Sequence, residues 1–175
     1  MKIKFVTLGC KLNFAESSAL GKELLLRGHE RTLANEVPDV CVVNTCSVTD
    51  AADHKDRQMI NQLHRKFPNA NIVVTGCYAQ LQPQQISIIP GVDYVLGQNE
   101  KYDIPALVEE IETKKGNIER IRVAAIREVE TFHSVRSGND RTRCFIKVQD
   151  GCNYFCTYCT IPYARGKSCN PKIED

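Results

Sequence analysis

No stretch of the 175 residues approaches the roughly 20 consecutive apolar residues that a membrane-spanning helix requires. An export signal is missing too. The N-terminus, Met1 to Cys10, starts basic and runs straight into a short strand-like segment, with no apolar h-region and no small-residue cleavage site. These absences predict a cytoplasmic protein with no membrane partner. Strong net charge is also lacking: 23 Lys/Arg against 21 Asp/Glu leave +2, too little to imply nucleic acid by itself. Hydrophobic content of 42% and charged content of 25% are those of an ordinary soluble globular chain, long enough for one domain of typical size and a smaller piece.

Cysteine is what the chain has in excess. Nine cysteines without an export signal argue against a disulfide framework, because a reducing cytoplasm keeps thiols free and turns clustered ones toward metal or redox work. Basic charge is uneven as well. From Lys114 to Lys147 there are nine Lys/Arg and four Asp/Glu, a local excess of +5 that leaves the rest near −3. That stretch could meet phosphates through counterion release, or simply be a solvated linker.

Short apolar runs alternate with longer amphipathic ones over the first hundred residues, the pattern of βαβ units around a parallel sheet. Strands are expected at Ile3–Leu8, His29–Leu33, Val40–Val43, Asn71–Thr75 and Val92–Leu96. Helices are expected at Ser17–Arg27, with Leu20, Leu24 and Leu25 on one face, at Asp50–Phe67, and at Ile104–Lys115. Together they predict an α/β, three-layer, flavodoxin-like or Rossmann-like domain over residues 1–116. Residues 117–141 read as a linker holding a strand around Ile121–Ile126, and Arg143–Val148 as the strand that opens a second unit, 142–175, whose Lys172–Asp175 reads as a first helical turn.

A phrase recurs three times: Val6-Thr7-Leu8-Gly9-Cys10, Val42-Val43-Asn44-Thr45-Cys46 and Val73-Val74-Thr75-Gly76-Cys77. Each is an apolar strand ending in cysteine. Parallel strands deliver their carboxyl ends to one edge, where open α/β sheets bind ligands, so three thiols separated by 36 and 31 positions are expected to converge. Thiolates approaching from different directions suit an iron–sulfur cluster. The bland alternative, cysteine as a small buried hydrophobe, stands beside it; Cys41, inside a strand, is assigned to the core.

Cys152, Cys156 and Cys159 form C-x3-C-x2-C. Three close thiolates can hold three irons of a four-iron cluster, and no fourth cysteine at compact spacing leaves one iron open. Zinc would close its shell with four ligands, and no histidine follows Cys159. Positions i, i+4 and i+7 could instead line one helix face, but Gly151, Asn153 and Pro162 favour a loop. The four histidines, at 29, 54, 64 and 133, are read as surface or helix positions rather than ligands.

With Tyr158 before its last cysteine, this motif resembles the signature of the radical S-adenosylmethionine superfamily. Thr7 to Asn13, Asn44 to Val48 and Gly76 to Gln80 resemble the three motifs of the methylthiotransferase N-terminal domain. Gly9-Cys10-Lys11-Leu12-Asn13 and Ile161 to Gly166 look most like the subfamily that modifies N6-threonylcarbamoyladenosine in tRNA, and Asn13, Glu16 and Asn44 match its motifs, although they could equally be caps or turn formers. The sister subfamilies act on isopentenyl-adenosine in tRNA or on a ribosomal-protein aspartate. Complete members continue through a partial (β/α) barrel and an RNA-binding domain, so residues 142–175 read as the incomplete start of the radical barrel, and this chain alone is expected to be inactive.

The resemblance implies two 4Fe-4S clusters and S-adenosyl-L-methionine. Cys152, Cys156 and Cys159 would hold the cluster whose open iron chelates S-adenosylmethionine, with Tyr158 near its adenine. Cys10, Cys46 and Cys77 would hold an auxiliary cluster carrying the sulfur to be inserted. A 5′-deoxyadenosyl radical would abstract hydrogen from C2 of the adenine, with tRNA as substrate, an electron donor such as flavodoxin or ferredoxin as partner, and Arg165 and Lys167 beside the cluster to meet phosphates. Cys169 stands where the family pattern leads one to expect a basic residue. A nonenzymatic iron–sulfur electron carrier and a zinc-stabilised RNA-binding domain are the readings from other functional classes.

Overall fold

The computed structural model describes residues 1–33, 36–113, 116–126, 131–138 and 143–172. Six strands, β1 (Lys2–Thr7), β2 (Glu30–Arg31), β3 (Val40–Thr45), β4 (Asn71–Gly76), β5 (Val92–Leu96) and β6 (Ile121–Arg122), form one sheet in the order β2-β1-β3-β4-β5-β6. Every pairing is parallel. The order of the first five is the flavodoxin-like one, which reverses direction between β1 and β3 and opens a crevice there, outside the strands' carboxyl ends.

Alternation along buried strands builds two cores. Cys41, Val43, Ile72, Val74 and Val95 face one side and pack on α2 (Asp50–Lys66), α3 (Cys77–Leu81) and α4 (Pro83–Ser87) through Ile60, Leu63, Tyr78 and Ile86. Val40, Val42, Val73 and Leu96 face the other and pack on α1 (Lys11–Leu26) and α5 (Ile104–Glu112) through Leu20, Leu24, Ile104, Leu107 and Val108. Val40 to Val43 are completely buried, as continuous β-branched runs in two-sided parallel sheets should be. Cys41 lies in the first core, and its burial pushes the thiol up to about 11.

Helix ends follow their chemistry. Thr49 caps α2, its hydroxyl accepting from the Ala52 amide at 3.2 Å, with Asp50 and Asp53 in the first turn and His64, Arg65 and Lys66 in the last. Helix α1 starts at Lys11, six residues before the expected Ser17, because tertiary bonds hold Asn13 and Glu16 on it. Leu25 is 52% exposed and lies off the buried stripe of Leu20 and Leu24. The strand expected inside 117–141 is β6, which continues the same sheet beside β5. No helix among the described residues is long and apolar enough to cross a membrane.

The expected strand at Arg143–Val148 does not form. Arg136 and Ile146 make a single antiparallel bridge, and the alternation is inverted: Ile146 and Val148 are exposed while Lys147 is buried, its Nζ donating to Asp150 Oδ2 and Tyr102 Oη at 3.1 Å each. Burial of the charged position overrides the apolar pattern. The described residues contain no barrel strand after β6. A short helix, α6 (Ile161–Arg165), follows the second cysteine group instead. The turn expected at Lys172–Asp175 falls largely outside the described residues.

Leu107, fully buried between α5 and the sheet, and Leu26, 89% exposed on α1, calibrate this core. Leu107→Ala is expected to lower the unfolding free energy by about 2–5 kcal/mol in denaturant titration, and Leu26→Ala by less than about 0.5 kcal/mol.

Candidate iron–sulfur site

The first three cysteines follow β1, β3 and β4, three strands adjacent in the sheet, and stand at its carboxyl edge. Cys10 is the N-cap of α1, Cys46 directly follows β3, and Cys77 opens α3. Two glycines in the left-handed region make the approach possible. A methyl on Gly9, at φ +92°, would lie 2.6 Å from Cys46 Cβ and 2.8 Å from its Sγ, so the Cys46 side chain packs on the backbone that leads to Cys10. A methyl on Gly76, at φ +99°, would collide with the Thr45 backbone.

The three differ in exposure. Cys10 is exposed, and its Sγ lies 3.7 Å from Asn13 Oδ1. Cys46 and Cys77 are buried, which pushes both thiols up; at Cys77 the charges of Arg165 and Lys101, and a hydrogen bond from Arg165, work against the burial. The Cys46 amide donates to Asp56 Oδ2 at 2.8 Å, and burial raises that carboxyl to about 7.

Cys152, Cys156 and Cys159 lie on an irregular loop, not on a helix. The Cys152 amide donates to Gly166 O at 3.0 Å, Cys159 N to Cys156 O at 2.9 Å, and Asp150 pairs with Cys169 in an antiparallel bridge. Cys169 therefore closes the base of this loop. Tyr154 and Tyr158 are largely exposed, at 86% and 88%. Thr160 Oγ1 donates to Ser47 O at 3.1 Å, α6 packs on α3, and a cavity of about 530 Å³ opens between Ser47–Asp53, Leu81–Gln85 and Thr160. It thus borders segments that follow Cys46, Cys77 and Cys159.

Arg165 joins the two cysteine groups. It is 3% exposed and donates through Nη1 to Glu16 Oε1 and Asp150 Oδ1, both at 3.0 Å, and through Nη2 to Asn13 Oδ1 at 2.7 Å. Glu16, fully buried, also receives Lys101 Nζ at 2.7 Å. Burial opposes ionisation of Glu16, but the Lys101 and Arg165 charges prevail and hold its carboxyl at about 2. Asn13 Nδ2 donates to Leu8 O and Thr45 O at 2.9 Å each, and Asn44 Nδ2 donates to Asn13 O. Asn13, Glu16 and Asn44 are thus buried connectors inside α1 and β3, neither caps nor turn formers.

Two expectations need correction. Arg165 is enclosed by carboxylates and cannot meet phosphates; of the pair beside the cysteines only Lys167 is exposed. His29, expected at a surface or helix position, is 5% exposed and precedes β2. The basic stretch is also partly engaged: Arg120 donates to Val92 O and Asp93 O, Arg122 to Glu110, and Lys147 is buried.

The sequence pattern of the uncharacterized protein family UPF0004 matches residues 2–97, which run from β1 through β5 and include the first three cysteines. The chain belongs to the UPF0004 family. Threonylcarbamoyladenosine tRNA methylthiotransferase MtaB of Aquifex aeolicus is 40% identical to it over 175 residues, covering 99% of the chain and 42% of that protein. MtaB of Bacillus subtilis is 40% identical over 170 residues, 94% of the chain and 36% of its own length. Ribosomal protein uS12 methylthiotransferase RimO of Chloroflexus aurantiacus is 31% identical over 184 residues, 95% of the chain and 40% of that protein. This UPF0004 chain therefore spans about two-fifths of the length of the curated relatives it matches.

All donors in the two groups are sulfur, the set that suits iron–sulfur clusters and excludes hard cations. Among the described residues, no three His, Cys, Asp or Glu side chains are drawn together around a single metal-ion position. A cluster asks for something else, since each thiolate takes its own iron and the ligands stand apart around it. Buried Lys101 and Arg165, joined to the Cys10 turn through Glu16 and Asn13, also suit a group that brings negative charge.

Because Gly9 touches Cys46, Gly9→Ala is expected to lose about 1–3 kcal/mol of stability in thermal or denaturant unfolding. Gly28, also in the left-handed region at φ +86° but with nothing within 4 Å of an added methyl, is the control; Gly28→Ala should cost only the backbone strain of about 1–2 kcal/mol, with no change at the cysteines.

Proposed function

We propose that this chain is the cluster-bearing portion of a tRNA methylthiotransferase that adds a methylthio group to C2 of N6-threonylcarbamoyladenosine. The observation that carries the reading is the placement of Cys10, Cys46 and Cys77 at three adjacent strand ends, with the C-x3-C-x2-C loop fastened to the same edge through Arg165. Similarity to the two MtaB proteins over nearly the whole chain supports the adenosine substrate. Fold alone would not, because one sheet architecture serves many reactions.

In this reading Cys152, Cys156 and Cys159 hold one 4Fe-4S cluster and Cys10, Cys46 and Cys77 the other. The clusters and S-adenosyl-L-methionine, when bound, supply the radical and the sulfur chemistry. The protein's own side chains do the rest. Asn13 ties the Cys10 turn to the end of β3, Gly9 and Gly76 leave room for the neighbouring strand end, and Arg165 keeps the second loop in register with the first three cysteines. Tyr158, exposed before the last cysteine, is assigned to the adenine of S-adenosylmethionine. Lys167 is the described cation beside the loop assigned to tRNA phosphates, with electrons supplied by a flavodoxin or ferredoxin.

Anaerobic reconstitution with iron and sulfide, followed by iron analysis, tests the ligand sets. The chain should take up about eight irons per molecule. Replacing Cys10, Cys46 and Cys77 by alanine should remove one cluster, and replacing Cys152, Cys156 and Cys159 the other. Loss of the same single cluster from either triplet, or zinc in place of iron, contradicts the assignment. Nucleoside mass spectrometry of tRNA from a strain lacking the gene should show 2-methylthio-N6-threonylcarbamoyladenosine absent; an unchanged level removes the substrate.

A further inference from the structure

The interface between the sheet edge and the second cysteine loop buries an unequal number of charges. The side chains of Lys101, Arg165 and Lys147 are at most 3% exposed, and the carboxylates that meet them are those of Glu16, fully buried, and Asp150, 13% exposed. Three basic side chains therefore face two carboxylates; burial lowers the pKa of Lys101, and the Glu16 carboxylate bonded to it works against that burial. Tyr102 Oη accepts from Lys147, and burial and the Lys147 charge lower the pKa of His133, stacked on Tyr102 at 3.7 Å, against the pull of Asp150 and of the exposed Asp103; neither ring supplies negative charge. Asn13 Oδ1 and the backbone carbonyls around it are dipoles and leave the imbalance in place.

An uncompensated buried charge costs several kcal/mol, so a fold that keeps one normally provides a counter-charge. The first cysteine group lies beside the surplus: Arg165 Nη2 donates to Asn13 Oδ1, which is 3.7 Å from Cys10 Sγ, and the helix that carries Arg165 packs on α3, which opens with the 5%-exposed Cys77. Its neutral thiol cannot balance the surplus; a thiolate bound to iron can. Solvent around this sulfur is scarce, so the field of the two cations is weakly screened.

We propose that Glu16, Lys101 and Arg165 form a charge-balancing device for the first cysteine group, whose one surplus positive charge sets the electron affinity of the cluster held there, with Arg165 acting as a positioning residue for both groups. This deepens the reading above and rests on Cys10, Cys46 and Cys77 holding a cluster. An added electron increases the negative charge beside Cys77. Removing a cation should therefore make reduction harder and removing the carboxylate easier, since cluster potentials follow net charge and hydrogen bonds to sulfur.

The test uses the full chain carrying Cys152→Ala, Cys156→Ala and Cys159→Ala, so that only the first group reports. After anaerobic reconstitution, a dithionite titration with mediators is followed by electron paramagnetic resonance. At a fixed potential, Arg165→Gln should lower the ratio of reduced to oxidised cluster at least about tenfold, which is about 59 mV more negative for a one-electron couple. Glu16→Gln should move it in the opposite direction, and Arg165→Lys, which keeps the charge and loses the fork, should stay near the parent. Loosened packing alone would not produce opposite signs. If Arg165→Gln does not fold by circular dichroism, the sign of the Glu16→Gln shift decides. Shifts of one sign in both variants, or no shift in either, overturn the proposal while leaving the cluster assignment intact. A parent that takes up no iron removes the underlying reading, and this inference with it.

Discussion

The buried carboxylate of Glu16 is the constraint on which the rest of the site depends. It lies on α1, receives Lys101 from the turn after β5 and Arg165 from the helix after the second cysteine loop, and so joins three parts of the chain at one point. Both of its oxygens are satisfied by these two cations. Removing either cation would leave a charge in a place where breaking a buried pair costs about 3–5 kcal/mol. The pair is not there for stability alone, since apolar residues of the same volume would serve a core as well. Its effect is also geometric: through Arg165 it ties the loop carrying Cys152 to Cys159 to the sheet edge.

Sheet topology explains why this edge is where chemistry collects. Reversal of strand order between β1 and β3 leaves a crevice at their carboxyl ends, and β4 lies next to β3. A cysteine follows each of these three strands, directly after β3 and β4 and one short turn after β1. Glycine at 9 and 76 removes the side chain that would hold the strand ends apart. Asn13 and Asn44 then link the turn after β1 to the end of β3. The turns that carry the thiols are thus held by backbone and amide contacts of the protein itself.

Much of this was legible in the sequence because the signals are local. Runs of β-branched residues leading to cysteine mark strands that stop just before positions 10, 46 and 77, and the spacing of Ile104, Leu107 and Val108 marks the buried face of α5. What was not legible depends on distant partners. Arg165 and Glu16 are 149 positions apart, and an arginine next to a cysteine motif looks as much like a phosphate ligand as like a buried strut. Lys147 misleads in the same way: a lysine between Ile146 and Val148 suggests an alternating strand, and only its bonds to Asp150 and Tyr102 turn the pattern over. The short helices α3, α4 and α6 have five residues each, too few for a periodic signal, and are placed by packing.

A double-mutant cycle between Glu16 and Arg165 measures the central interaction most directly. Glu16→Gln, Arg165→Gln and the double variant would be compared by denaturant unfolding. The account predicts that the double variant is less destabilised than the sum of the singles, with a coupling of about 1–3 kcal/mol. Additivity within about 0.5 kcal/mol would contradict it, because two side chains that do not share a bond have no reason to report on each other.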